Sequence, residues 1–127
     1  MKLLLDTHVW LWGLLEPSRL HSRVARELAS GKNELWLSPV SVWEALVLCE
    51  KKKLELRPDP WTWIRSAVLL EAPLTYEVAL EAGRVSMSHR DPADRFLVAT
   101  ARVYGLTFVT ADERLLQVPG LKVLSAR

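Results

Sequence analysis

The sequence predicts an α/β fold in three layers, α/β/α, with a central parallel sheet of about five strands. Short apolar runs alternate along the chain with segments in which apolar residues recur at helical spacing. The short runs are apolar at successive positions, which is typical of parallel strands that are buried on both faces. Strands joined by helical crossovers form parallel sheets, so this alternation predicts helices on both faces of the sheet.

The first half of the chain contains two units in which a strand leads into a helix. The first apolar run, Lys2–Leu5, stops at Asp6 and Thr7, a pair that favours a helix start. The second run leads into Ser38 and Pro39, a pair that also favours a helix start. The predicted elements are a strand over 2–5 followed by a helix start, a helix over 19–30, a strand over 35–37 and a helix over 40–52.

The second half contains two pairs in which an aspartate precedes a proline, at Asp59-Pro60 and Asp91-Pro92. An aspartate cap followed by proline in the first turn indicates the start of a helix, and Gly105 supplies a stop. The predicted elements are helices over 61–71, 76–85 and 93–104, and strands near 73–75, over 107–109 and, as a fifth candidate, over 122–124.

Composition is that of an ordinary globular protein. The 127 residues are 50% hydrophobic and 25% charged, so we expect a single domain over 1–127 with one proper core. The single cysteine, Cys49, cannot form an internal disulfide, and the N-terminal apolar stretch is interrupted by Asp6 and His8, unlike a signal peptide or membrane span. These features predict a cytoplasmic protein with no membrane association. The formal charge of +2 is compatible with a polyanionic partner without indicating one.

Acidic side chains follow the strand ends and begin the helices. Asp6 and Asp112 come after the first and fourth strands, and Glu44 and Asp94 lie near the starts of two helices. In a parallel sheet these positions lie along one edge, where ligands bind if the strand order reverses there. We therefore expect the four carboxylates to converge.

Each acid also has a purely structural interpretation. Ser41 and Glu44 match a capping box, in which the glutamate bonds the backbone of the serine. Asp91 and Asp94 could be a cap and a first-turn acid, and Asp6 and Asp112 could cap short helices. The joint placement of all four at one edge favours a site.

A cluster of carboxylates has a clear electrostatic requirement. Two carboxylates about 4 Å apart repel by roughly 4 kcal/mol at an effective dielectric near 20, so the cluster must bind protons or a cation. Ligands that are all oxygen favour Mg²⁺ or Mn²⁺. The three histidines and Cys49 show no zinc-like spacing.

Four segments of the chain resemble the successive motifs of PIN-domain toxins of the VapC type. The segments are LLLDTHVWLW, SPVSVWEALVLCEKKKLEL, HRDPADRFLVATAR and TFVTADERLL. Their order and spacing agree with the family over 2–116. The resemblance implies that the family's acids are Asp6, Glu44, Asp94 and Asp112. It also matches Thr110 to the family's frequent Ser/Thr, and leaves Asp91 as a cap or a supporting residue behind the ligands.

The resemblance implies a metal-dependent endoribonuclease that is the toxin of a toxin-antitoxin pair. Asp6 and Asp94 would bind Mg²⁺ or Mn²⁺ directly, while Glu44 and Asp112 would act through water, at a second metal or on the nucleophile. The products would carry 5′-phosphate and 3′-hydroxyl groups. The implied partners are an RNA substrate, a VapB-like antitoxin and a second copy of the chain.

Basic and aromatic residues offer further contacts to RNA. Thr7, Arg90, Arg95 and Thr110 are candidate substrate-binding residues, because they adjoin the acids. The lysines at 51–53 and Arg57 are weaker candidates, since basic residues at a helix end also complement its dipole. Most of the six tryptophans are expected in the core or at an interface.

Three other classes of protein share part of this pattern. A phospho-accepting receiver domain has a similar size and sheet, but its adjacent acids after the first strand and its lysine after the fifth are missing here. A haloacid-dehalogenase-like phosphatase would have a second aspartate in place of His8. A PIN-like module that binds RNA or protein without cleaving would not need all four acids.

Overall fold

The computed structural model describes residues 1–51, 62, 64–65, 68–86 and 91–127. The strands are β1 (Lys2–Leu5), β2 (Glu34–Leu37), β3 (Leu69–Glu71), β4 (Thr107–Thr110) and β5 (Val123–Ser125). The α-helices in the described ranges are α1 (Thr7–Leu15), α2 (Ser22–Ala29), α3 (Pro39–Glu50), α4 (Tyr76–Ala82) and α5 (Pro92–Tyr104). None of the helices in this part of the chain is long and apolar enough to span a membrane.

The sheet is parallel throughout and has the strand order β3-β2-β1-β4-β5. The chain runs outward from β1 to β3, and the later strands β4 and β5 then lie on the other side of β1. The order therefore reverses between β1 and β4, which is where ligands bind in open α/β sheets. A receiver domain has the order 2-1-3-4-5, so the observed order excludes that class.

Two hydrophobic cores cover opposite faces of the sheet. Side chains alternate along β1, so that Leu3 and Leu5 join one core and Leu4 joins the other. The first core contains residues of α1, α2 and α3, and the second contains residues of α4 and α5. Helices on both faces confirm the predicted three-layer α/β/α architecture.

The third strand is the element that the sequence placed wrongly. The prediction put a helix over 61–71 and a strand near 73–75, but Leu69–Glu71 form β3 and 73–75 form no strand. Most of the predicted helix lies outside the described residues, although Thr62, Ile64 and Arg65 are helical. β3 is an edge strand with two exposed residues, so its sequence lacks a buried apolar run.

The start of α2 also differs from the prediction. The helix was predicted from residue 19, but a 3₁₀ turn over Pro17–Arg19 precedes it and Leu20 is extended. The helix begins at Ser22, where the His21 side chain accepts a hydrogen bond from the backbone of Arg23. Pro17 is the first residue of this 3₁₀ turn, and its fixed φ suits the first position of a helical turn.

Gly105 ends α5 in the left-handed conformation, with φ of 65°. Gly105→Ala should lower the free energy of unfolding by about 1–2 kcal/mol, because a Cβ disfavours this backbone conformation. No atom lies within 4 Å of the new Cβ, so the effect is one of backbone conformation. Gly83→Ala is the matched control, since Gly83 ends α4 with φ of −68°. Urea unfolding that gave equal losses for both variants would contradict this account.

Candidate active site

The four predicted acids line one open cleft of about 480 Å³ at the carboxyl edge of the sheet. Asp6 directly follows β1, and Asp112 comes two residues after the end of β4. Glu44 lies on α3 and Asp94 lies in the first turn of α5. The cleft is also lined by His8, Trp12, Asp91, Ala111, Glu113, Arg114 and Arg127. The fold therefore brings together acids that are separated by most of the chain.

Asp6 is a buried carboxylate of the cleft, and only 8% of the residue is exposed. It caps α1, with Oδ1 accepting a hydrogen bond from the Thr7 backbone N–H at 2.8 Å. Its Oδ2 accepts a hydrogen bond at 2.7 Å from the hydroxyl of Thr110, which ends the neighbouring strand β4. Burial raises the pKa of Asp6, and the hydrogen bond from Thr110 opposes that rise.

Thr7 connects α1 with Glu44 on α3. Its hydroxyl donates to Glu44 Oε1 at 2.5 Å, and its oxygen lies 2.8 Å from the Ser41 hydroxyl oxygen. Burial raises the pKa of Glu44, while the hydrogen bond from Thr7 lowers it and the charge of Asp6 raises it further. The Glu44 carboxylate is thus held from the neighbouring helix.

The capping-box interpretation of Ser41 and Glu44 is wrong. Ser38 is the cap of α3, and its hydroxyl oxygen accepts from the Val40 backbone N–H at 3.0 Å. The Ser41 N–H donates to the Ser38 carbonyl, so Ser41 already lies within the helix. Pro39 after Ser38 favours this earlier start, because proline fits the first helical position. Glu44 is therefore not needed as a cap, and its side chain contacts Thr7 instead.

Asp91 and Asp94 take different places at the start of α5. Asp91 is exposed and caps the helix, with Oδ1 accepting from the Ala93 backbone N–H at 2.9 Å. Asp94 is 9% exposed, lies three residues further along in the first turn of the helix, and lines the cleft. This placement agrees with the expectation that Asp91 is a cap.

Asp112 forms an ion pair with Arg114, a residue that sequence reasoning missed. Arg114 Nε donates to Asp112 Oδ1 at 3.0 Å and Nη2 donates to Oδ2 at 2.7 Å, so the guanidinium engages both carboxylate oxygens. The side-chain hydrogen bond with Asp112 raises the pKa of Arg114, and the charge of Asp112 raises it further. Asp112 caps the short 3₁₀ turn Glu113–Leu115 after β4, and Arg114 lies within that turn. The signal in the sequence was the arginine two positions after Asp112, the last of the four predicted acids.

Thr7 and Thr110 were predicted to bind substrate, but the structure buries their side chains. They are 1% and 0% exposed, respectively, which leaves no hydroxyl surface for RNA. The Thr110 hydroxyl donates to Asp6 and accepts from the Asp112 backbone N–H at 3.0 Å. One hydroxyl thus connects the acid after β1 with the acid after β4.

The two predicted arginine contacts are not among the described residues that line the cleft. Arg95 Nη1 donates to the Val85 carbonyl at 2.8 Å and to the Ala82 carbonyl at 3.3 Å, which connects α5 to the end of α4. A phosphate contact by Arg95 would require it to leave these carbonyls, so that role stays a prediction. Arg90 lies outside the described residues, as do Arg57 and the lysines at 52 and 53.

The cleft supplies the ligand chemistry that a hard divalent cation prefers, because its acids offer carboxylate oxygens. Among the described residues, no three His, Cys, Asp or Glu side chains are yet gathered in a metal-ligating arrangement. Glu44 instead accepts a hydrogen bond from Thr7, and Asp112 pairs with Arg114. The fit of the cleft to such a cation therefore rests on the carboxylate chemistry of its lining.

The fold and the cleft together define the class of this protein. It is a doubly wound α/β/α domain with a carboxylate-lined cleft at the switch point of its parallel sheet. The family model described as "PIN domain" matches residues 3–121. The chain therefore belongs to the PIN-domain family.

Individual relatives agree with this membership. The chain is 34% identical over 115 residues to Ribonuclease VapC22 of Mycobacterium tuberculosis, an alignment that covers 88% of each protein. The solved structure of VapBC2 from Rickettsia felis bound to a promoter DNA fragment has a TM-score of 0.76 at 14% identity and covers both chains completely. DNA-bound VapBC from Salmonella typhimurium has a TM-score of 0.68 at 17% identity, covering 100% of this chain and 99% of that one. The two structures share the fold.

Proposed function

We propose that this protein is a metal-dependent endoribonuclease that acts as the toxin of a toxin-antitoxin pair. The observation that carries the proposal is the meeting of Asp6, Glu44, Asp94 and Asp112 in one cleft of a PIN-domain fold. Similarity to Ribonuclease VapC22 over most of both chains supports RNA as the substrate. The match to the family model over 3–121 supports treating 1–127 as a single PIN domain.

Asp6 and Asp94 are the proposed direct ligands of Mg²⁺ or Mn²⁺, because both are buried carboxylates that line the cleft. When bound, the cation polarises the scissile phosphoryl group and lowers the pKa of a water molecule for in-line attack. Thr110 and the backbone of Thr7 fix the Asp6 carboxylate from two directions. A fixed carboxylate loses less entropy when it binds a cation than a mobile one does.

Glu44 and Asp112 are the proposed supporting acids. Thr7 holds Glu44 on α3, where the carboxylate lines the cleft. Asp112 follows β4 and is joined to Asp6 through the Thr110 hydroxyl. We assign these two carboxylates to water-mediated ligation, to a second cation or to orientation of the attacking water.

The proposed partners are a VapB-like antitoxin and a second copy of this chain. The solved structures with the same fold include VapBC complexes and FitAcB from Neisseria gonorrhoeae. Exposed apolar side chains such as Trp43, which is 62% exposed on α3, supply surface for such contacts. We place the protein in the cytoplasm, where a reduced Cys49 and an RNA substrate are both expected.

The proposal is tested by incubating purified, partner-free protein with a mixed pool of structured RNA. Mg²⁺, Mn²⁺ and a chelator are compared for the wild type, Asp94→Asn and Asp91→Asn. Cleavage should require the cation, be lost in Asp94→Asn and persist in Asp91→Asn, because asparagine caps a helix as well as aspartate does. Folded wild-type protein that cuts no RNA under any condition would indicate a binding module instead of an enzyme.

A further inference from the structure

The guanidinium of Arg114 is bound to Asp112, an acid of the proposed site, in a fork geometry. Its Nε and Nη2 each donate to a different oxygen of Asp112, at 3.0 and 2.7 Å. The backbone N–H of Arg114 also donates to Asp112 Oδ1, at 3.0 Å. Oδ1 therefore already accepts two N–H groups, and a cation binding at this carboxylate would compete directly with the guanidinium.

The charge of the cleft makes a positive group necessary for an RNA substrate. Six carboxylates are among the described lining residues, against the two guanidinium groups of Arg114 and Arg127. Arg127 pairs with Glu113 at 3.4 Å, while Arg114 pairs with a proposed metal-site acid. A phosphodiester that approaches these acids is repelled unless cations compensate, and a guanidinium fork matches phosphate oxygens as well as carboxylate oxygens.

We propose that Arg114 is an RNA phosphate-binding residue that becomes available when a divalent cation takes over Asp112. This inference rests on the proposed ribonuclease function and names a substrate contact for it. Without the cation, the guanidinium is held on Asp112. With the cation, the guanidinium transfers to a phosphate of the bound RNA, next to the scissile position.

The Arg114 side chain is 59% exposed, so its guanidinium can reach a bound phosphate while the turn stays folded. The two-point contact holds the guanidinium on Asp112 until a cation competes for that carboxylate. The partner of Arg114 can therefore change from carboxylate to phosphate without unfolding the 3₁₀ turn. Thermodynamic linkage then makes metal binding and RNA binding mutually favourable, since each promotes the other's contact.

The test measures the affinity of a short single-stranded RNA as a function of salt, with Ca²⁺ and with a chelator. Ca²⁺ is an oxygen-binding divalent cation, and gels verify that the RNA stays intact during the measurement. In Ca²⁺, Arg114→Ala should weaken binding about tenfold and reduce the salt slope by about 0.7, as expected for one lost phosphate contact. In chelator, the same variant should change affinity less than about twofold, since the guanidinium is then held by Asp112.

Matched variants separate this role from a general effect of charge. Arg84→Ala is the control, because Arg84 is an exposed arginine that pairs with Glu81 and is absent from the described lining of the cleft. It should change neither affinity nor slope. Arg114→Lys should keep the salt slope and lose part of the affinity, because lysine retains the charge without the fork.

Asp112→Asn provides a second, metal-free readout. Asparagine cannot hold the guanidinium as an ion pair, so RNA should bind this variant more tightly than wild type in chelator. The gain should largely disappear when Arg114→Ala is added to Asp112→Asn. Asp91→Asn removes one negative charge of the same cleft at the residue that caps α5, and its gain in RNA affinity should be smaller.

Equal weakening by Arg114→Ala in Ca²⁺ and in chelator would overturn the inference, and so would no weakening in Ca²⁺. Circular dichroism of each variant checks that it is folded. If the wild type cuts RNA in a metal-dependent way but Arg114→Ala binds normally, the inference alone fails. If the wild type neither binds nor cuts RNA, the proposed function itself fails.

Discussion

Asp6→Asn is expected to lower kcat/KM for RNA cleavage by about a thousandfold, because loss of a direct metal ligand removes several kcal/mol of transition-state stabilisation. The variant should keep the fold, since asparagine can still accept the hydrogen bond from the Thr7 N–H and cap α1. Cleavage is measured under single-turnover conditions in Mg²⁺. Asp91→Asn, a second acid of the same cleft, should retain activity within a few fold.

The same substitution is expected to stabilise the protein when no divalent cation is present. Burial raises the folded-state pKa of Asp6 above its ordinary value of 3.8, so folding is opposed by the charged form at neutral pH. This cost disappears as the pH falls below the unfolded-state pKa. Asp6→Asn should therefore melt at a higher temperature than wild type near neutral pH in chelator, with the difference shrinking toward about pH 4.

Added Mg²⁺ should reverse this order. A ligand that binds only the folded state stabilises it by about 1.4 kcal/mol at ten times its Kd, and only the wild type retains the complete site. Thermal melts with and without Mg²⁺ check both effects. Asp6→Asn that melts below wild type in chelator at neutral pH, or gains as much from Mg²⁺ as wild type does, would show that Asp6 serves the fold and not a metal site.

Thr110→Val should lower kcat/KM by roughly 10- to 100-fold, which is the usual effect of removing a hydrogen bond that orients a metal ligand. The Thr110 hydroxyl is 0% exposed and joins Asp6 Oδ2 to the Asp112 backbone N–H. Valine has nearly the same shape and keeps the β4 packing, so the loss comes from the hydrogen bonds.

The pH profile distinguishes this positioning role from a structural one. The hydrogen bond from Thr110 lowers the pKa of Asp6, so its loss should raise that pKa further. The acidic limb of the kcat/KM profile should then move to higher pH in Thr110→Val. Thr110→Ser restores the hydroxyl and should recover both the rate and the profile. A uniform decrease at all pH values, with no recovery by serine, would contradict the assignment.

The strands at the centre of the sheet could be predicted because burial determines their sequence. β1 has the predicted bounds, Lys2–Leu5, and β4 differs by one residue, because both are central strands with apolar side chains on the two faces. α5 was also predicted within one residue, since Asp91, Pro92 and Gly105 mark its ends chemically. The convergence of four acids followed from this topology.

Features that depend on tertiary contacts could not be predicted in this way. In the described part of the chain β3 lies at the sheet edge, pairs with β2 and exposes Leu70 and Glu71, so its local sequence carries no clear strand signal. The contact between Glu44 and Thr7 spans 37 positions, and the local capping pattern at Ser41 pointed to a different role. The sequence offered Asp112 as the cap of a short helix, which the 3₁₀ turn confirms, but it carried no signal for the side-chain pairing of Asp112 with Arg114.

The hydrogen bond between Thr110 and Asp6 joins residues that are 104 positions apart, and the Asp6 backbone also donates to the Val109 carbonyl at 2.9 Å. A nascent chain that has emerged only as far as α5 already carries Asp6, Glu44 and Asp94 but has no β4 to orient the first of them. Contacts of such separation form late, because closing a long loop costs entropy before the contact forms. An RNA-cutting activity built in this way would be withheld from incomplete chains during their synthesis.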